Sequence, residues 1–257
     1  MNIKKHIPLI TIVTPSYNQG QFIEETILSV LNQTYKNIQY IVVDGGSTDK
    51  TMEVVNKYRD KIDIIIHEKD KGQTDAINKG FKLAKGELVG WINSDDILYP
   101  DCVKKIVELY NEKPDSSIYY GSSSNFIDSV GNIFKLNILE IPNRNYLLNH
   151  NYSLIQQGSF YSLKIVKECN YLNDNLQYCM DLDLWLRLLK FGSINSIKSE
   201  PIAAFRFWGD TKTMNGGAKF LREIRKILFK HGANHYSFNI IRTYWYEFKQ
   251  IIKDIIN

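Results

Sequence analysis

Short β-branched runs alternate with amphipathic segments through the first hundred residues of this chain. Residues 9–14, 39–43, 63–67 and 88–92 are apolar stretches of five or six residues, the length of buried strands. Between the first two, Phe22, Ile23, Ile27, Val30 and Leu31 repeat at helical spacing. Residues 51–58 and 75–83 predict two further helices. Strand–helix alternation on short connections leads to a parallel sheet with right-handed crossovers. Such sheets bind ligands outside the carboxyl ends of their strands. The candidate ligand loops are therefore residues 15–20, 44–49, 68–72 and 93–96, all rich in Gly, Asn, Ser and Asp.

The pattern changes beyond a predicted helix over residues 101–111. Short strands are expected over residues 117–120, 126–128 and 133–136, the last two joined by the Gly131-Asn132 turn, and another over 158–161. Leu182, Trp185, Leu186 and Leu189 predict a helix that stops at Gly192, and residues 203–206 read as one more strand. At 257 residues the chain can bury a full core. The three cysteines are scattered and form no CxxC pair, so neither a disulfide framework nor a zinc site is indicated. The absence of a signal pattern or a long apolar stretch leads to a cytoplasmic expectation.

Asn93-Ser94-Asp95-Asp96 sits where the fourth strand ends. Adjacent carboxylates repel each other, and a divalent cation with substrate phosphates would relieve that repulsion. Helix capping by Asp96 or Asp101 explains the same residues. Asp44 has two readings as well: a hydrogen-bond acceptor for a base imide or ribose, or the turn former ahead of Gly45-Gly46. That glycine-rich turn is neither GxGxxG nor a Walker loop.

Five segments in order resemble family 2 glycosyltransferases: Thr14-Pro15-Ser16-Tyr17-Asn18, the run from Val42 through Asp49, the run from Asp70 through Gly80, the run from Trp91 through Asp96, and the run from Met180 through Arg187. The resemblance covers about residues 7–215. It implies a GT-A fold, a mixed α/β sheet flanked by helices, and inverting transfer of one sugar from a nucleotide-diphosphate donor, with UDP favoured because Asp44 suits a uracil imide. By the same resemblance Pro15, Tyr17 and Asn18 pack on the nucleotide, and Asp44 reads the base. Asn93, Ser94 and Asp95 face the donor, while Asp96 holds Mg²⁺ or Mn²⁺. Asp181 is the general base, although it is also placed to cap its helix. Asp75 is either a donor contact or a cap, and Gln157 falls near the acceptor. Trp185 is a core residue with acceptor stacking as the alternative. Arg206 and Lys212 are candidate diphosphate partners. Many relatives carry a His two residues beyond that Arg, where this chain has Trp208.

The implied organisation is a nucleotide-binding half (1–100), an acceptor half (101–215), and basic amphipathic helices (216–257). Residues 212–257 hold nine Lys/Arg against three acids, on a body that is otherwise slightly acidic. Packing on the body, or dimerisation through Tyr244-Trp245-Tyr246, ranks ahead of peripheral contact of residues 217–256 with the inner face of a membrane. The expected acceptor is a glycan, free or polyprenyl-linked, and no nucleic-acid-binding pattern is present. A sugar nucleotidyltransferase fits less well, since residues 15–20 lack a basic glycine-rich loop. A non-catalytic glycan- or sugar-nucleotide-binding module conflicts with having both Asp96 and Asp181. The QxxRW element of processive relatives is missing.

Overall fold

The computed structural model describes residues 6–198, 200–209 and 216–256. Its first half runs β1 (Ile10–Ser16), α1 (Ile23–Leu31), β2 (Ile38–Asp44), α2 (Thr51–Lys57), β3 (Ile64–His67), α3 (Gln73–Leu83) and β4 (Leu88–Trp91). β5 (Ile97–Leu98) and α4 (Cys102–Glu112) follow, then β6 (Ile118–Gly121), β7 (Ser123–Ile127), β8 (Ile133–Ile138) and α5 (Arg144–Asn149). Next come β9 (Phe160–Ser162), α6 (Leu163–Glu168), α7 (Met180–Leu188), β10 (Ile194–Ile197) and β11 (Ala203–Arg206). The chain closes on α8 (Gly217–Lys230) and α9 (Phe238–Ile256).

A seven-stranded sheet has the order β10-β6-β9-β4-β1-β2-β3. The four strands of the first hundred residues pair parallel, as expected. The insertion of β9 antiparallel to both β4 and β6 makes the sheet mixed. A second sheet, β5-β11-β7-β8, stands beside it. The sequence did not reveal β5, β10, α5 or α6, because each is short and is stabilised by long-range pairing or packing instead of periodicity.

Strand alternation divides the core between the two faces of the large sheet. Ile10, Ile12, Tyr40 and Val42 pack with Ile23 and Ile27 of α1 and Ile106 of α4. Val13, Ile41, Val43 and Trp91 pack with Phe81 of α3, Trp185 of α7, and Ile224 and Leu228 of α8. Each such aliphatic side chain contributes ~1.5–3 kcal/mol through burial. α3 lies so close to β1 that a Cβ on Gly80 would come within 2.4 Å of Val13 Cγ1. The last helices are partly core elements: Leu221, Ile224 and Leu228 are buried, whereas Tyr244 and Trp245 are each 55% exposed. Among the described residues no helix is long and apolar enough to cross a membrane.

Candidate active site

Parallel pairing of β1, β2, β3 and β4 brings the loops that follow them to one edge of the sheet, where they wall a cavity of about 910 Å³. Pro15, Tyr17, Gly45, Gly46, Lys69 and Asp70 line one part of it, and Asn93, Ser94, Asp95 and Trp208 another. Phe126, Phe205, Ser124 and Asn137 of the second sheet, with Phe207 just beyond β11, contribute a wall, as do Gln156, Gln157, Tyr178, Met180 and Asp181.

The paired carboxylates separate in space. Asp95 lines the cavity, and its Oδ2 accepts from the Trp208 indole N–H at 2.8 Å. Asp96 is fully buried away from the cavity. Its Oδ1 accepts from the Arg206 amide (2.9 Å), and its Oδ2 accepts from Asn93 Nδ2 and Gln157 Nε2, each at 3.0 Å. Burial pushes the carboxyl of Asp95 up, with Trp208 and Arg206 opposing. Asp96 is pushed well above the usual range, first by burial and then by the Asp95 charge. The expectation that Asp96 grips a cation therefore meets a different geometry, in which Asp95 is the carboxylate facing the cavity. Among the described residues no group of three or more His, Cys, Asp or Glu is placed to hold a metal. One carboxylate still fits Mg²⁺-type binding, where substrate phosphates and water complete the shell.

Asp44 also departs from expectation. It is fully buried and closes its own turn. Its Oδ2 accepts from the amides of Gly46 (3.0 Å) and Ser47 (2.8 Å) and meets His67 Nδ1 at 2.7 Å, while its Oδ1 accepts from Ser47 Oγ at 2.5 Å. The turn reading is thus the observed one. The acid on the cavity wall is Asp70, whose Oδ2 lies 2.5 Å from where a Cβ on Gly45 would be. A Cβ at position 45 would displace that carboxylate.

Other expected contacts resolve into supports. Asn18, at φ 51°, accepts from the Thr48 amide (2.9 Å) and donates its own amide to Ser47 Oγ (2.7 Å), tying two loops together. Asp75 accepts from the Lys71 amide (3.1 Å) and pairs with Lys79 (3.5 Å), away from the cavity. Arg206, a candidate diphosphate partner, is buried and outside the cavity lining: it donates to the Asp95 and Asp128 carbonyls, pairs with Glu25 and stacks on Phe22. Trp185 is core, donating to Tyr161 Oη at 3.1 Å. Lys212 lies outside the described residues.

Asp181 opens α7 on the cavity wall, half-buried, with the Leu182 amide donating to its Oδ1 at 2.8 Å. Burial pushes its carboxyl up to about 6, opposed by that amide and aided by the negative charge of Glu223. Gln157 lines the cavity, with its amide spent on Asp96. Of the further cavity-lining residues, Ser124 had no sequence signal; Ser16 Oγ, Ser124 Oγ and Gln156 Oε1 are buried without a hydrogen-bond partner among the described residues. Buried polar atoms of this kind are normally satisfied, and these three lie beneath the cavity surface instead of projecting into it.

The glycosyl transferase family 2 model matches residues 11–169. A glycosyltransferase of Rickettsia felis is 35% identical over 204 residues, covering 74% of this chain and 33% of the relative. One of Rickettsia typhi is 30% identical over 206 residues, covering 76% and 63%. This chain thus spans between a third and two thirds of their lengths. In structure, S. aureus TarS 1–349 in complex with UDP-GlcNAc aligns at TM-score 0.68 and 18% identity, covering 85% of this chain and 65% of that one. Mannosyltransferase PcManGT from Pyrobaculum calidifontis, in complex with GDP-Man and Mn²⁺, aligns at TM-score 0.70 and 14% identity, covering 96% and 74%. The fold is accordingly the GT-A fold. By its matched segment, which spans more than half of its length, the chain belongs to glycosyl transferase family 2.

Proposed function

We propose that this chain transfers one sugar, with inversion, from a nucleotide-diphosphate donor to a hydroxyl of a glycan or lipid-linked acceptor in bacterial surface-glycan assembly. One observation carries the reading: Asp181, a carboxylate pushed up to about 6, shares a single cavity with Asp95 and the Gly45–Asp70 corner. The nucleotide sits against Pro15, Tyr17, Gly45 and Gly46. Asp70 accepts from the base imide, the role the sequence had suggested for Asp44, and UDP is the nucleotide.

Asp95 and the donor diphosphate together would hold a divalent cation, which offsets charge on the leaving group. Ser16, Ser124 and Gln156 complete the lining of the same cavity. The Asp181 carboxylate takes the acceptor hydroxyl proton. As it does so, the acceptor oxygen bonds the anomeric carbon and the electron pair of the breaking C–O bond leaves with the diphosphate. Direct displacement on the face opposite the leaving group inverts the centre. A carboxyl that ionises near pH 6 is a stronger base than an ordinary Asp and is still deprotonated at neutral pH.

A panel of UDP-, dTDP- and GDP-sugars, assayed by thermal shift and hydrolysis with and without Mn²⁺, tests this. A UDP-sugar should stabilise the protein and be hydrolysed only with Mn²⁺, and Asp95→Asn should lose that Mn²⁺-supported hydrolysis. No stabilisation by any donor in either condition would refute transfer.

A further inference from the structure

The C-terminal helices reach the site through one side chain. Glu223, half-buried on α8, accepts three backbone N–H groups from the segment that leads into α7. Its Oε1 accepts from the Tyr178 and Cys179 amides, each at 2.8 Å, and its Oε2 from the Gln177 amide at 3.1 Å. These three amides lie in the turn that precedes α7 and ends at its N-cap Cys179, and α7 itself carries no side-chain cap. The carboxylate that satisfies them therefore comes from more than forty residues further along the chain.

Two more contacts make this a bracket around Asp181. Phe220 packs edge-on against the Tyr178 ring, whose residue lines the cavity (centroids 6.2 Å). Two turns further along α8, Lys230 Nζ and His231 Nε2 meet Asp183 Oδ1 at 3.1 and 2.9 Å. α8 thus grips the residues on both sides of Asp181. We propose, on the footing that Asp181 is the base, that Glu223 is a positioning residue for transfer: it fixes the turn that aims Asp181 into the cavity, which makes α8 part of the site.

The groups that face Asp181 are few. Tyr161 of β9 and Cys179 of the same turn are both pushed up by burial and so stay neutral. Glu223 supplies the charge. Its carboxylate acts on Asp181 in two ways, by geometry through the 177–179 backbone and by repulsion that favours the protonated carboxyl.

The test uses the full chain labelled with [¹³Cγ]-aspartate, with the Asp181 signal assigned from Asp181→Asn. In Glu223→Gln, which keeps an acceptor oxygen and loses the charge, the Asp181 titration midpoint should fall by about half a pH unit or more. In Glu223→Ala it should fall further, and the Tyr178 and Cys179 amides should exchange about tenfold faster or more. UDP affinity should stay within about twofold in both variants, since Glu223 does not line the cavity. An unchanged midpoint in Glu223→Gln, or unchanged amide exchange in a folded Glu223→Ala, overturns the proposal. Should Glu223→Ala not fold, the Glu223→Gln midpoint decides alone. These readouts need no sugar transfer, so they can fail while Asp181→Asn abolishes transfer, and the reverse result would sink the base assignment only.

Discussion

Asp44, in the nucleotide-side loops, and Asp181, at the junction of α7 and α8, carry the same carboxyl into opposite circumstances. Four donor atoms surround the Asp44 carboxylate, three of them from the two or three residues that follow it. Asp181 receives one amide, from its immediate neighbour, and burial drives it up to about 6. A carboxylate already served by several donors is a structural element, and its negative charge is spent locally. One that is desolvated with few donors retains its affinity for a proton. Both residues lie in recognisable family segments, so motif membership marks scaffold and reactive acids alike. Donor count and cavity exposure separate them.

The largest expected difference between the two regions is in rate. Asp181→Asn should lower transfer by ~10²–10⁴, the usual worth of general-base assistance, with donor affinity unchanged. In the wild type, kcat/KM should fall as pH drops through about 6, because the base must be ionised. Stability should respond in the opposite sense. The folded state holds the Asp181 proton more tightly than the unfolded chain does, so ionising it costs stability as pH rises from about 4 to 6. Asp181→Asn should therefore melt a few degrees higher than wild type at pH 7, seen by calorimetry. A full-rate Asp181→Asn would break the comparison outright.

Asp44→Ala should reverse that pattern. It strands buried N–H groups at a cost of ~1–3 kcal/mol, and Tm should drop on the order of 5 °C. If the melting temperature were unchanged and only donor KM rose, Asp44 would be a ligand contact after all. The smallest effect is assigned to Asp70→Ala: a donor KM raised about tenfold, with kcat nearly unchanged, from loss of one charge-assisted hydrogen bond. Equal KM values in Asp70→Ala and wild type would remove Asp70 from the base-reading role.

Much of the fold was legible because it is written locally. The strands and helices of the first hundred residues announce themselves by period, and all of the loops after β1 to β4 that the sequence singled out contribute to the cavity edge. The second sheet was legible only in part: β8 is flagged by the Gly131-Asn132 turn, whereas β5 has two residues and no period to read. Ser124 carried no signal as a site residue, and Asp70 was marked only as part of a ligand loop. Asp70 packs against Gly45 at the cavity wall, and Gln156 is held there by its amide donating to the Trp91 carbonyl at 2.8 Å. The basic tail was legible as charge but not as ion pairing. Part of its charge is spent internally, on Glu247 by Arg222 and Arg225 and on Asp183 by Lys230.

By itself, then, the sequence determined the order of strands and helices, the edge at which ligand loops gather, and the family, since each depends on periodicity or on contiguous residues. Tertiary structure alone decided which acids are free to act. Asp96 is occupied by the amide of Arg206, 110 residues away, and Asp181 is framed by Glu223 and left with a single local donor. Proton affinity depends on burial and on the donors that converge on a group, and those donors come from segments that only folding brings together.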